Sequence, residues 1–81
     1  MNGWSNRETW TINLWLTNDA ATLALAEQLA READSEIEVA DRLESYFAGG
    51  FAVPEGLVAD LVSAAMARVD WTEIARSIRE A

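Results

Sequence analysis

The chain has 81 residues, 51% of them hydrophobic, and 14 acidic against 6 basic residues give a formal net charge of −8. There is no cysteine and no histidine, and all six basic residues are arginine. These absences exclude disulfide frameworks, thiolate metal sites, Ser-His and Cys-His nucleophiles, Schiff-base lysines and the phosphate-loop lysine. What remains is one small domain with enough apolar content for a core, of net stability roughly 4–12 kcal/mol. Its charge is repelled by nucleic acid and by anionic membrane surfaces. No apolar run approaches the ~20 residues of a membrane span, and residues 1–7 lack a basic segment followed by an apolar one, so a cytoplasmic protein is expected.

The first predicted element is a helix from about Asn6 to Leu16. Ser5 and Glu8 have the S-x-x-E spacing of a capping box, and Asn18-Asp19 supplies the next stop-and-start signal. Trp10, Ile12, Leu14 and Leu16 also alternate with Thr11, Asn13, Trp15 and Thr17, which is a strand pattern. The capping box, and the lack of a second strand to pair with, favour a helix. At about 100° per residue its apolar side chains fan around the axis. The expectation is therefore an all-α fold, a compact single domain of about five short helices around a buried N-terminal helix.

Asp19 can cap a second helix, Ala20 to about Ala33, whose alanines allow close helix approach. Asp34-Ser35 is a joint and a further cap signal. The third helix, Ser35 to about Ala48, sets Ile37, Val39, Ala40, Leu43, Tyr46 and Phe47 on one broad half and Asp34, Glu38, Asp41 and Ser45 on the other. Gly49-Gly50 ends it. Phe51-Ala52-Val53 is an apolar link to a fourth helix that starts at Pro54 and runs to about Arg68. Leu57, Val58, Leu61, Val62, Ala64, Ala65 and Val69 are its expected buried positions. Asp70 and Glu73 form a second capping box, opening a last helix whose apolar face is Trp71, Ile74, Ala75 and Ile78.

Three features are candidates for function. From Glu27 to Glu44 seven acids face only Arg31 and Arg42. Asp34, Glu38 and Asp41 are spaced by four and three, with Glu44 flanking and Glu32 nearby. Helical neighbours at that spacing lie about 5–6 Å apart, comparable to successive phosphates that climb about 3.4 Å per nucleotide while also turning. Such a row can occupy arginines and lysines meant for a phosphate backbone; its plain alternative is a solvated face with Glu38–Arg42 as an i,i+4 pair. The second feature is the tryptophan set, Trp4, Trp10, Trp15 and Trp71, either core or an interface anchor. In so small a domain the core reading is favoured, and Asn6, Arg7, Asn13 and Asn18 fit polar caps as well as a site. The third is a carboxylate pair for hydrolysis or a divalent metal. No D-x-D-x-D-G loop is present, and neither a catalytic residue, a cofactor nor a metal site is expected.

Ser5-Asn6-Arg7-Glu8-Thr9-Trp10, then Leu14-Trp15-Leu16 and Asn18-Asp19, resembles a recurrent opening in small acidic phage, prophage and plasmid proteins. Val69-Asp70-Trp71-Thr72-Glu73-Ile74-Ala75 resembles the close of the same proteins. That resemblance implies a mobile-element setting, where short acidic proteins block host defence, anti-CRISPR and anti-restriction proteins commonly by imitating DNA. The expectation from resemblance and charge together is a non-enzymatic inhibitor, an anti-CRISPR protein acting on a type I effector complex. It would present Glu32, Asp34, Glu38, Asp41 and Glu44 to a basic DNA-binding surface, as a monomer, without binding nucleic acid or membrane itself. The alternative is a small regulatory or interaction module that binds through an apolar, Trp-containing surface.

Overall fold

The computed structural model describes residues 3–49 and 55–80. They form five α-helices, α1 Arg7–Asn18, α2 Ala20–Glu32, α3 Glu36–Gly49, α4 Leu57–Ala67 and α5 Trp71–Glu80, with no strand among the described residues. The fold is all-α, and the stretch with the alternating pattern is helical throughout. The apolar link Phe51-Ala52-Val53 and the proposed helix start at Pro54 lie outside the described residues.

The caps differ in detail from the expected ones. Asn6, not Ser5, caps α1: its backbone is extended and its Oδ1 accepts the Thr9 amide at 2.8 Å. Asparagine is as good a cap as serine, and Asn6-x-x-Thr9 places the donor three residues on, leaving Ser5 outside the helix. The Asp19 carbonyl accepts the Leu23 amide at the start of α2, but its carboxylate caps no backbone amide and takes the Thr22 hydroxyl instead. Asp70 caps α5 as expected, its Oδ1 accepting the Glu73 amide at 3.1 Å. α4 starts after Gly56, whose φ of 136° is a conformation that side-chain-bearing residues rarely adopt.

The core lies between α3 and α5. Leu16, Ala26, Val39, Leu43, Ile74 and Ala75 are essentially inaccessible, and Trp71, Val69, Ile78 and Ala40 complete the cluster. The Phe47 and Trp71 rings stack with centroids 5.9 Å apart, tying the end of α3 to the start of α5. α1 packs on α2 and α5 but fully buries only Thr9 and Leu16. The others do not wrap around it: its apolar residues fan around the axis, its close packing is confined to those two helices, and Leu14 and Trp15 are left exposed. The tryptophans divide accordingly. Trp71 is buried and Trp4 packs against the core, Trp10 is half-buried, and Trp15 is 72% exposed.

Two further expected core assignments are corrected. On α3, Val39, Ala40 and Leu43 are buried while Ile37 and Tyr46 are exposed, because only the arc that meets α2 and α5 is covered. On α4, Leu57, Val58, Leu61 and Ala64 are exposed and Val62 and Ala65 only half-buried, leaving Val69 beyond its end as the one expected position that is buried. The close helix pairs are α3–α5, α1–α2, α2–α3, α2–α5 and α1–α5. α4 belongs to none of them.

Candidate functional site

The acidic edge follows the end of α2, the α2–α3 joint and the outer side of α3. Glu32 ends α2, exposed, its carboxylate accepting from Gln28 Nε2 at 3.2 Å. At the joint, Ser35 Oγ accepts the Glu38 amide at 3.1 Å, and the Ser35 carbonyl accepts the Val39 amide, so α3 begins just after Ser35. Asp34 is therefore not part of the helix. The expected stack of Asp34, Glu38 and Asp41 is broken at its first member, and Asp34 sits exposed on the joint.

Glu38 has a structural task. One carboxylate oxygen accepts the Asp34 amide, and the other meets Arg42 Nη2 at 3.2 Å. The Asp34 N–H and, secondarily, Arg42 hold its carboxyl below the usual glutamate range. Its charge is engaged inside the molecule. Ser35-x-x-Glu38 has the spacing of a capping box, so this role was readable from the sequence. Glu36, also in the cluster, pairs with Arg76 of α5 at 3.4 Å. That leaves Glu27 within α2 and, along the edge, Glu32, Asp34, Asp41 and Glu44 exposed and without an ion-pair partner among the described residues. Asp41 and Glu38 border an open groove of about 430 Å³ between α2 and α3, with Leu25, Leu29 and Tyr46 as its apolar lining and Arg42 at its side.

A second polar constellation joins the two ends of the described chain. Thr9 is fully buried; its hydroxyl donates to Asn6 Oδ1 at 2.8 Å and accepts the Asp70 amide at 2.8 Å. Asn6 Nδ2 donates to the Arg68 carbonyl at 2.7 Å. The Ser5 hydroxyl donates to Glu73 at 2.7 Å, and its amide lies 3.1 Å and 3.2 Å from the two Glu73 oxygens. Glu8 pairs with Arg68 at 3.2 Å, and hydrogen bonding to backbone N–H, then Arg68, keeps its carboxyl below the usual range. Both expected capping boxes are thus rewired: their serine and glutamates reach across the fold instead of back along their own helices. The resulting clasp ties the start of α1 to the start of α5 and leaves no free nucleophile or base, since each polar group it uses is engaged by another.

Among the described residues no group of three or more acidic side chains is placed to hold a metal ion. Other open grooves among the described residues include one of about 330 Å³ between α1 and α4 and one of about 250 Å³ between α2 and α5. No helix among the described residues is long and apolar enough to cross a membrane. Over residues 1–81 the chain matches a family of unknown function (DUF7249), and it belongs to that family. No curated protein and no solved structure matches it.

Proposed function

We propose that this member of the DUF7249 family is a non-enzymatic binding protein whose acidic edge occupies a basic, nucleic-acid-binding groove of another protein. The specific case we infer is a host defence complex, a type I CRISPR effector, from which target DNA would be excluded. One observation carries the reading: Glu32, Asp34, Asp41 and Glu44 stay exposed and without an ion-pair partner among the described residues, although the same segment holds Arg31 and Arg42. The paired arginines engage other carboxylates, Arg42 with Glu38 and Arg76 with Glu36 in the same segment and Arg68 with Glu8 in the clasp. The mobile-element setting that the two end motifs imply supports the choice of target. The clasp holds Ser5, Asn6, Glu8, Thr9 and Glu73 of those motifs on partners within the fold, which favours a binding surface away from them.

The test is phage plating on bacteria whose type I CRISPR system targets that phage, with and without this protein. A variant carrying Glu32→Gln, Asp34→Asn, Asp41→Asn and Glu44→Gln runs beside it, leaving Glu38 intact so that α3 keeps its cap. Rescue that disappears in the variant supports the acidic edge. Rescue by both proteins would sink it, and absence of rescue removes the CRISPR target. Binding to the effector should weaken as salt rises, because charge supplies much of the attraction.

One observation favours a second reading, an interaction module with an apolar surface. Trp15 is 72% exposed beside Leu14 at 37%, and exposed tryptophans are enriched among interface anchors. In that case Trp15→Ala abolishes partner binding and salt has little effect.

A further inference from the structure

We propose that the chain pairs with a second copy of itself through α4, the outer stripe of each α4 covering the trough beside the other. Every residue of α4 except Asp60 and Ser63 is apolar, yet the helix buries none of them. Leu57, Val58 and Leu61 are 75%, 62% and 60% exposed, and their spacing puts them on one side of the helix. Next to that stripe is the open trough of about 330 Å³, whose floor is Ile12 of α1 with Val62, Ala65 and Met66 of α4. A helix that is apolar all round belongs in a buried position. Within the described domain, α4 has no closely packed neighbour.

Charge along α4 selects the occupant. Glu55 and Asp60 are exposed at its N-terminal end, and residues 55–67 contain no cation. At the opposite end stand Arg7, which lines the trough and has no ion-pair partner among the described residues, and Arg68, bonded to Glu8. A two-fold axis across α4 runs the two copies antiparallel. The acidic end of each then meets the arginine end of the other, whereas a parallel arrangement sets like charges together. Stripe and trough, the two halves of such a contact, are both present on one chain, as a self-complementary interface requires. The monomer expected from sequence is revised by this inference. The pairing does not use Glu32, Asp34, Asp41 or Glu44, so it stands or falls separately from the acidic edge.

Sedimentation equilibrium from low micromolar to near-millimolar concentration tests it. The wild-type mass should climb from the 8.9 kDa monomer toward twice that value. Because each copy carries a charge of −8, added salt screens their repulsion, and pairing should persist or tighten, opposite to the behaviour of the acidic edge. Leu61→Glu should weaken pairing by at least about tenfold, since it buries a charge in the contact, with unchanged helical circular dichroism. Arg7→Glu should weaken it, and Arg7→Glu combined with Asp60→Arg should restore it. A wild-type chain that stays monomeric throughout overturns the proposal and leaves the stripe to an unrelated partner. Pairing that survives Leu61→Glu, or that ignores the charge swap, overturns it as well.

Discussion

α4 and α5 differ in a way that composition alone would order wrongly. α4 is apolar at all but two positions and fully buries nothing. α5 is polar at six of its ten positions, yet Trp71, Ile74, Ala75 and Ile78 are all buried. The difference is arrangement. Positions 71, 74, 75 and 78 recur at helical spacing on one face, and Thr72, Glu73, Arg76 and Arg79 fall outside it. A helix with one apolar face has a definite way to sit on α3, and the clasp then fixes where it starts. α4 has no preferred face, and among the described residues the polar bonds at its ends are those of Arg68 to Asn6 and Glu8 and its own backbone. Apolar content gives a helix a reason to be covered; only its pattern says by what.

Four changes bear on this comparison. Ile74→Ala should have the largest effect, about 2–5 kcal/mol for a fully buried side chain, a large part of the stability of so small a domain. Urea denaturation should show a much lower midpoint, and a loss under about 1 kcal/mol would remove α5 from the centre of the core. Thr9→Val comes next. It keeps the shape but leaves the part-buried Asp70 amide without its acceptor and the Asn6 Oδ1 with only the Thr9 amide, at about 1 kcal/mol or somewhat more. A lowered melting temperature of about 4–8 °C per kcal/mol is expected; no change would mean that the clasp is incidental. Leu61→Ala should alter the monomer's stability by no more than about 0.5 kcal/mol, although it removes as much aliphatic side chain as a core substitution. A core-sized loss there would show that α4 is covered within the monomer.

The smallest effect concerns pH. Glu8 and Glu38 are held below the usual glutamate range by hydrogen bonds from backbone N–H and by their arginines. A carboxyl whose folded value is depressed stabilises the fold fully above its unfolded value, and that contribution is lost as pH falls through the folded value. Denaturation midpoints should therefore decline on the acid side of the ordinary glutamate range. Glu38→Gln should make that decline shallower, and an identical acid profile in the variant would show that Glu38 is not held by the cap.

Much of the fold was legible because helix signals are local. The five helices, the Asp70 cap and the apolar face of α5 follow from spacing and cap chemistry within a few residues of each site. The partners of the caps were not legible. Ser5 and Glu8 have capping-box spacing, yet Ser5 bonds Glu73, 68 positions away, and Glu8 bonds Arg68. At the acidic edge, Ser35-x-x-Glu38 did carry a readable signal that Glu38 would serve the start of α3. Asp34 could be placed off the helix once that cap was recognised.

By itself, then, the sequence determined the all-α class, the helix count, the acidic character and the absence of histidine, cysteine and lysine chemistry. These depend on residue identity and on periodicities of three to four positions. Tertiary structure alone decided that α3 and α5 form the centre, that Trp15 and the α4 stripe remain outside, and which carboxylates keep their charge unpaired. Those outcomes depend on which helix faces meet, and packing between segments far apart in the chain sets them.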